Sequence, residues 1–291
     1  MTYAGVELGG TKCALILARG PYEVVARATV PTTSADETLG RIEAVLGKWK
    51  TSRAIDALGI ASFGPIDADP LSANFGHVLQ TPKRGWAGSQ VARRLQEYLG
   101  VPTAFDTDVN GAALAEVLWG SGRGLADFAY ITVGTGIGVG LIVAGQPTRG
   151  FGHCELGHIR VPRAAGDDWP GSCPYHKDCV EGLASGSALR GRFGDSLDDL
   201  APDHPVWESV AWTLAQLCQA IVCAAAPHRI AVGGGVVERQ SHLLAKTEAA
   251  LIDSLGGFVR LPADAPYIRA PELGRDVGPL GAIALAMQAR P

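Results

Sequence analysis

The sequence predicts an α/β protein of two domains of related plan with a cleft between them, and three observations carry that expectation. Apolar, β-prone runs alternate with helically spaced apolar residues through most of the 291 residues. A strand, glycine-rich bend and second strand occur twice, at YAGVEL-GGTK-CALILA near the start and at AYITV-GTGIG-VGLIVAG from residue 128. The length suits one large or two medium domains.

The elements follow in order. YAGVEL and CALILA flank Gly9, Gly10, Thr11 and Lys12 and read as a hairpin. EVVARATV extends that sheet, and residues 35 to 50 show helical spacing, with Leu39, Ile42, Val45, Leu46 and Trp49 on one face. AIDALGIASF is a buried strand that ends in the Gly64-Pro65 turn. An amphipathic helix at 87 to 99, a short strand at 101 to 105 and a helix at 109 to 119 follow. After the second glycine bend comes a polar Gly/Pro-rich loop at about 153 to 179. Helices near 181 to 193 and 205 to 225, the strand RIAVGG, a helix near 240 to 255 and an apolar helix from Pro279 to Gln288 complete the chain. The expected division is 1–116, joined by the C-terminal helix 277–291, and 117–276, which carries the loop 153–182.

With 47% hydrophobic and 19% charged residues the composition is that of an ordinary globular protein. A net charge of -4 argues against a nucleic-acid surface, and no basic patch is present. No apolar run is read as a membrane span, and the N-terminus lacks a basic region followed by an apolar one, so the expected location is the cytoplasm.

Glycines at a strand-to-strand bend let backbone N–H groups approach an anion, because no Cβ stands in the way. Either bend alone reads first as a plain hairpin turn. Two equivalent bends, each carrying a threonine, Thr11 in one and Thr135 between Gly134 and Gly136 in the other, point to one polyphosphate gripped from two sides. Neither has the Walker A or Rossmann spacing. Gly233, Gly234 and Gly235, after the strand RIAV, would let a flat ring lie against backbone or simply make a strand-to-helix turn.

Asp106, Asp108 and Asn110 lie where the strand VPTAF hands over to a helix. Such residues cap helices, but all three cannot cap one. Asp108 could accept the proton of a substrate hydroxyl during phosphoryl transfer, with Asn110 capping or orienting.

Of six cysteines, Cys13, Cys218 and Cys223 lie in apolar segments and read as small buried hydrophobes. CPYHKDC holds Cys173, His176 and Cys179 at short spacing, which suits three ligands of a tetrahedral structural zinc. His153, Cys154 or His158 would be the fourth. A metal tie would explain how a loop with little apolar content holds its shape.

Taken together, VELGGTK, SFGPID, TPKRGW, DTDVNGAALAE, GTGIGVG, HCELGH, CPYHKDCVEGLASG and VGGGV resemble, in order, the ROK family of sugar kinases, in its fructokinase-like branch. The resemblance implies an actin-like ATPase (ribonuclease H-like) fold and an ATP- and Mg-dependent hexose kinase, with fructose as the acceptor expected first. Other hexoses such as mannose, glucose or an N-acetylated hexosamine, or a catalytically silent sugar sensor, are the alternatives. It makes Gly9–Lys12 and Gly134–Gly136 the two phosphate loops, Gly233–Gly235 part of the adenosine site and Asp108 the catalytic base. Glu155, His158, Glu181 and Asn110 would hold sugar hydroxyls, and Gly64 and Pro65 would line the sugar cleft. It selects His158 as the fourth zinc ligand. It also implies a homodimer; a DNA-binding extension ahead of the first phosphate loop is not expected.

Three positions depart from the family pattern. Glu7 stands where many members have Asp near the Mg-nucleotide, and Thr107, expected at the sugar, replaces the sugar-touching Asn that glucose-using members place before the base, which weakens a glucose reading. Ser187 stands beside the nucleotide where this branch often has Pro.

Overall fold

The computed structural model describes residues 1–81, 83–194, 200–263 and 266–289. It divides into two compact units, Met1–Arg123 with Pro147–Cys154 and Arg275–Pro291, and Gly124–Gln146 with Glu155–Gly274. Each has its own hydrophobic core.

The first unit is built on a five-stranded sheet of β1 (Tyr3–Leu8), β2 (Lys12–Ala18), β3 (Val24–Pro31), β4 (Ala57–Ser62) and β5 (Thr103–Thr107), in the order β3-β2-β1-β4-β5. β1 runs antiparallel to β2 across the GGTK turn and parallel to β4, which runs parallel to β5. Helix α1 (Ala35–Ser52) starts where the Ser34 side chain accepts from the Glu37 N–H, with Asp36 and Glu37 in the first turn opposing the helix dipole. It buries Leu39, Ile42 and Leu46 on the face the spacing predicts. α2 (Val91–Leu99) begins four residues later than expected and stops at Gly100, whose φ of 69° is left-handed. α3 (Asp108–Trp119) follows β5 without a loop.

The closing helix, Val277–Gln288, packs into this first unit, on β1, β4 and α3. Residues 290 and 291 of the expected 277–291 helix lie outside the described residues. Its approach to α3 needs glycine at 281: a Cβ there would stand 2.5 Å from the Gly111 carbonyl carbon.

The second unit repeats the plan. Its sheet comprises β6 (Phe128–Val133), β7 (Ile137–Val143), β8 (Gln146–Pro147), β9 (Ile230–Gly233) and β10 (Ile268–Arg269), in the order β10-β9-β6-β7-β8. β6 and β7 are antiparallel across the GTG turn, and β9 lies parallel to β6 as β4 does to β1. The expected helix 181–193 is two, α4 (Val180–Ala184) and α5 (Gly186–Phe193), because Ser185 adopts an extended conformation and caps the second by accepting from the Ala188 N–H. α6 (Val206–Ala225) is followed by α7 (Gly235–Arg239) and α8 (His242–Leu255). By length and composition alone the 20-residue α6 is apolar enough to cross a membrane. It carries Trp207, Val210, Leu214, Leu217 and Ile221 into the core of the second unit, and Glu208, Gln216 and Gln219 interrupt its apolar character.

The segment Pro147–Cys154, expected with 117–276, packs with the first unit instead. Its anchors are Arg149, which donates to the Asp106 carboxylate at 2.8 Å, and His153, whose Nε2 accepts from the Ile66 N–H at 3.0 Å.

Candidate active site and metal cluster

In the first unit the β5–α3 junction sorts the three polar residues of DTDVNG. None of them is the cap: that is Thr107, whose hydroxyl accepts from the Asn110 N–H at 3.1 Å and which is buried. Asp106 is wholly buried. One of its oxygens accepts from the Thr107 N–H at 2.7 Å and from the Asn110 amide at 2.8 Å, and the other pairs with Arg149. A buried carboxylate must be paired and hydrogen-bonded in this way to stay charged. Asn110 is itself buried and held by Asp106. Asp108, in the first helical turn, stays half-exposed, and its Oδ1 accepts from the Val109 N–H at 2.9 Å.

Gly9, Gly10, Thr11 and Lys12 join β1 to β2, with Gly10 through Lys12 exposed. Glu7, near the end of β1, lies against Gly278 of the closing helix. Burial pushes the Glu7 carboxyl pKa up, while Lys12 pulls it down. Gly64 and Pro65, joined by a cis peptide, follow β4. The next residue, Ile66, donates its N–H to His153.

In the second unit Gly134 and Thr135 turn their carbonyls to the start of α5, accepting from the Gly186 and Ser187 N–H groups at 2.7 and 3.2 Å. This docking fixes the second glycine turn and sets Ser187 beside it. A cavity of about 890 Å³ opens here, lined by Gly134, Thr135, Ser187, Arg190, Trp207 and Gly235 among others. That volume is in the range of sites for small ligands and cofactors. Gly233 and Gly234 sit behind it. Gly234 has φ 95°, and a Cβ there would strike the Val133 backbone, so only glycine lets α7 start this close to β6.

The polar loop of the second unit gathers His158, Cys173, His176 and Cys179 so that their ligand atoms all lie within 4.8 Å of one another. The Cys173 sulfur is 3.6 Å from His158 Nδ1 and 3.8 Å from His176 Nδ1, and the Cys179 sulfur is 3.7 Å from His158 Nδ1. Bonds of about 2.3 Å to sulfur and about 2.0 Å to nitrogen give a tetrahedron with N···S edges of about 3.5 Å, so the donor set fits zinc. His153 and Cys154, the other possible fourth ligands, lie in the first unit, where Cys154 contacts the Thr148 hydroxyl at 2.9 Å. A tight knuckle holds the ligands: Cys173 and Lys177 exchange N–H···O bonds, with Lys177 at φ 58°.

The cluster is continuous with the acids expected at the sugar. His158 closes a 3₁₀ turn, Leu156–His158, that begins just after exposed Glu155. Cys179 directly precedes α4, whose first turn holds Glu181. Glu181 Oε2 accepts from the Ile137 N–H at 3.0 Å, just past the GTG turn, and His158 Nε2 faces Glu181 Oε1 at 3.9 Å. With Nδ1 turned to the sulfurs, His158 presents its other nitrogen toward that carboxylate.

Residues 3–289 match the ROK family over nearly the whole chain. The chain belongs to the ROK family. It is 38% identical to a fructokinase of Zymomonas mobilis over 294 residues, covering 99% of this chain and 97% of that one. It is 35% identical to a fructokinase of Pediococcus pentosaceus, covering 99% of each. A ROK glucokinase of Streptomyces griseus, solved with glucose and AMPPNP, superimposes with a TM-score of 0.76 at 25% identity, covering 99% of this chain and 100% of that one. The mixed α/β fold with two sheets is therefore that of the ROK kinases, the actin-like ATPase fold the resemblance implies.

Sequence reasoning gave no role to Arg149 or Lys83, and read His153 only as a possible zinc ligand. Arg149 and His153 reach Asp106 and Ile66 across 43 and 87 residues, separations at which no local pattern carries a signal. Lys83, in TPKRGW, donates to the Gly10 carbonyl of the first glycine turn. Its motif was visible in the sequence, but its direction was not.

Proposed function

We propose that this protein is a fructokinase, transferring the terminal phosphoryl group of ATP to the 6-hydroxyl of D-fructose. The observation that carries the reading is the β5–α3 junction. Four polar residues stand there in a row of five: Asp106, Thr107 and Asn110 are buried and hydrogen-bonded to one another, and Asp108 is half-exposed in the first helical turn, where its Oδ1 accepts from the Val109 N–H. Fructose is favoured as acceptor by the near-full-length likeness to two fructokinases.

In the proposed reaction the Asp108 carboxylate takes the hydroxyl proton as the sugar oxygen bonds to the terminal phosphorus. The bond from that phosphorus to the bridging oxygen breaks, and ADP leaves. The cavity beside Gly134, Thr135, Ser187 and Gly235 takes the nucleoside, and the two glycine turns take phosphates through backbone N–H groups. Glu155, His158 and Glu181 hold sugar hydroxyls. Magnesium enters with the nucleotide and supplies neutralisation of phosphate charge. Glu7 fits it: a carboxyl whose pKa burial raises is held ionised by a nearby cation. The Cys/His cluster would hold a structural zinc, which fixes the segment that delivers Glu155 and Glu181.

The test is ADP release from Mg-ATP with fructose, mannose, glucose and N-acetylated hexosamines in parallel. Turnover on fructose at a kcat/KM at least about tenfold above the others, a difference of about 1.4 kcal/mol, is the expected outcome. Preference for another hexose would move the acceptor, and no turnover on any would remove the kinase reading.

A further inference from the structure

Lys83 is a cation at the first glycine turn to which the proposed reaction has so far given no task. Its ammonium donates to the Gly10 carbonyl and stands 5.1 Å from the centroid of the Phe63 ring. Phe63 directly precedes Gly64 and Pro65, so one side chain touches both the turn that follows β1 and the segment that follows β4. Resemblance assigns the first to phosphate and the second to sugar. Among the described residues no carboxylate forms an ion pair with Lys83. Burial lowers its pKa, with Cys13 acting in the opposite direction. An ammonium with three donors, one on the Gly10 carbonyl and another side facing the Phe63 ring, keeps a donor for an anion. Surface lysines usually lie in water or beside an acid; this one is held, half-buried, at the mouth of a phosphate turn.

We infer that Lys83 binds the phosphoryl group in transit, touching the terminal phosphate of ATP and following it onto the sugar oxygen. The inference rests on the kinase reading above. A cation so placed makes contacts that ADP, lacking the terminal phosphate, cannot receive, and it strengthens them as charge spreads over the transferring oxygens. The other job the geometry allows, pinning the Gly10 carbonyl to hold the loop, would serve ADP and ATP alike.

Calorimetric titration with Mg-ADP and with Mg-AMPPNP separates the two, using the wild-type protein, Lys83→Met and Lys83→Arg, with fructose kinetics alongside. The expected result is that Lys83→Met binds Mg-ADP within about twofold of wild type but Mg-AMPPNP at least about tenfold more weakly. Its kcat falls by about 10²-fold or more, the scale for losing one donor to developing charge, and Lys83→Arg recovers part of both. Equal weakening of both nucleotides, or an unchanged kcat, would overturn the inference and leave Lys83 as a loop pin. Should Lys83→Met fail to fold, Lys83→Gln decides by the same ADP-to-AMPPNP comparison. A wild-type protein that binds AMPPNP yet turns over no hexose would fail the kinase reading instead, and the binding comparison would still stand.

Discussion

Asp106 and Asp108 are two carboxylates two positions apart with opposite fates. The first is wholly buried and accepts from a backbone N–H, an amide and a guanidinium; the second keeps one face in solvent and accepts from the Val109 N–H. Replacing Asp108 with Asn changes little in the fold, because the amide oxygen still accepts from Val109, but it removes the base. Asp108→Asn should lower kcat by about two to four orders of magnitude with KM for fructose changed only a few-fold. Steady-state kinetics at saturating Mg-ATP check this, and near-full turnover would exclude Asp108 as the base. The sequence showed that this junction is dense in polar residues and singled out Asp108. It could not show which of them are spent on structure, since Asp106 depends on Arg149, 43 residues away, and the cap falls to Thr107, a residue read for its contact with sugar.

At the scale of elements, legibility follows how local the cause is. The two hairpins were readable because strand, glycine bend and strand are contiguous, and the α1 stripe because its spacing is contained in one helix. The break between α4 and α5 was not readable, because Ser185 can sit inside a helix or cap one, and the choice here goes with docking of Gly186 and Ser187 on the GTG turn. The loop of the Cys/His cluster lies between these cases: three members were legible from spacing, while the fourth, His158, came from the family resemblance and not from spacing. Short links join the cluster to the proposed sugar residues, Glu155 three residues before His158 and Glu181 two after Cys179. Metal analysis of the wild type should therefore find one zinc per chain, and Cys179→Ser should abolish it. The substitution should also raise KM for fructose about tenfold, the loss of a contact worth about 1.4 kcal/mol. A chain that keeps its zinc after the substitution would refute the ligand set; one that loses zinc with KM unchanged would uncouple the cluster from the sugar.

Across the whole molecule, each unit carries its own core and its own five-stranded sheet on one plan, a hairpin around a glycine turn with parallel strands added on one side. Chain order does not follow this division, since the first unit draws its last helix from the end of the sequence. That helix buries every residue from Val277 to Ala286. Its Leu280, Ile283 and Leu285 alone contribute roughly 1.5 to 3 kcal/mol each by burial. Their sum is comparable to the roughly 5 to 15 kcal/mol by which a domain is stable at all. The second unit owes the helix nothing in its own core. A chain ending at Gly274 should thus lose amide-exchange protection in β1, β4 and α3 while β6, β9 and α6 stay protected and zinc stays bound. Uniform loss in both units would mean that their stabilities are coupled, and retained protection in β1 would mean that the first core stands without its last helix. The first pattern would overturn the assignment of independent cores and the second the dependence of the first core on the closing helix; selective loss is what the packing requires.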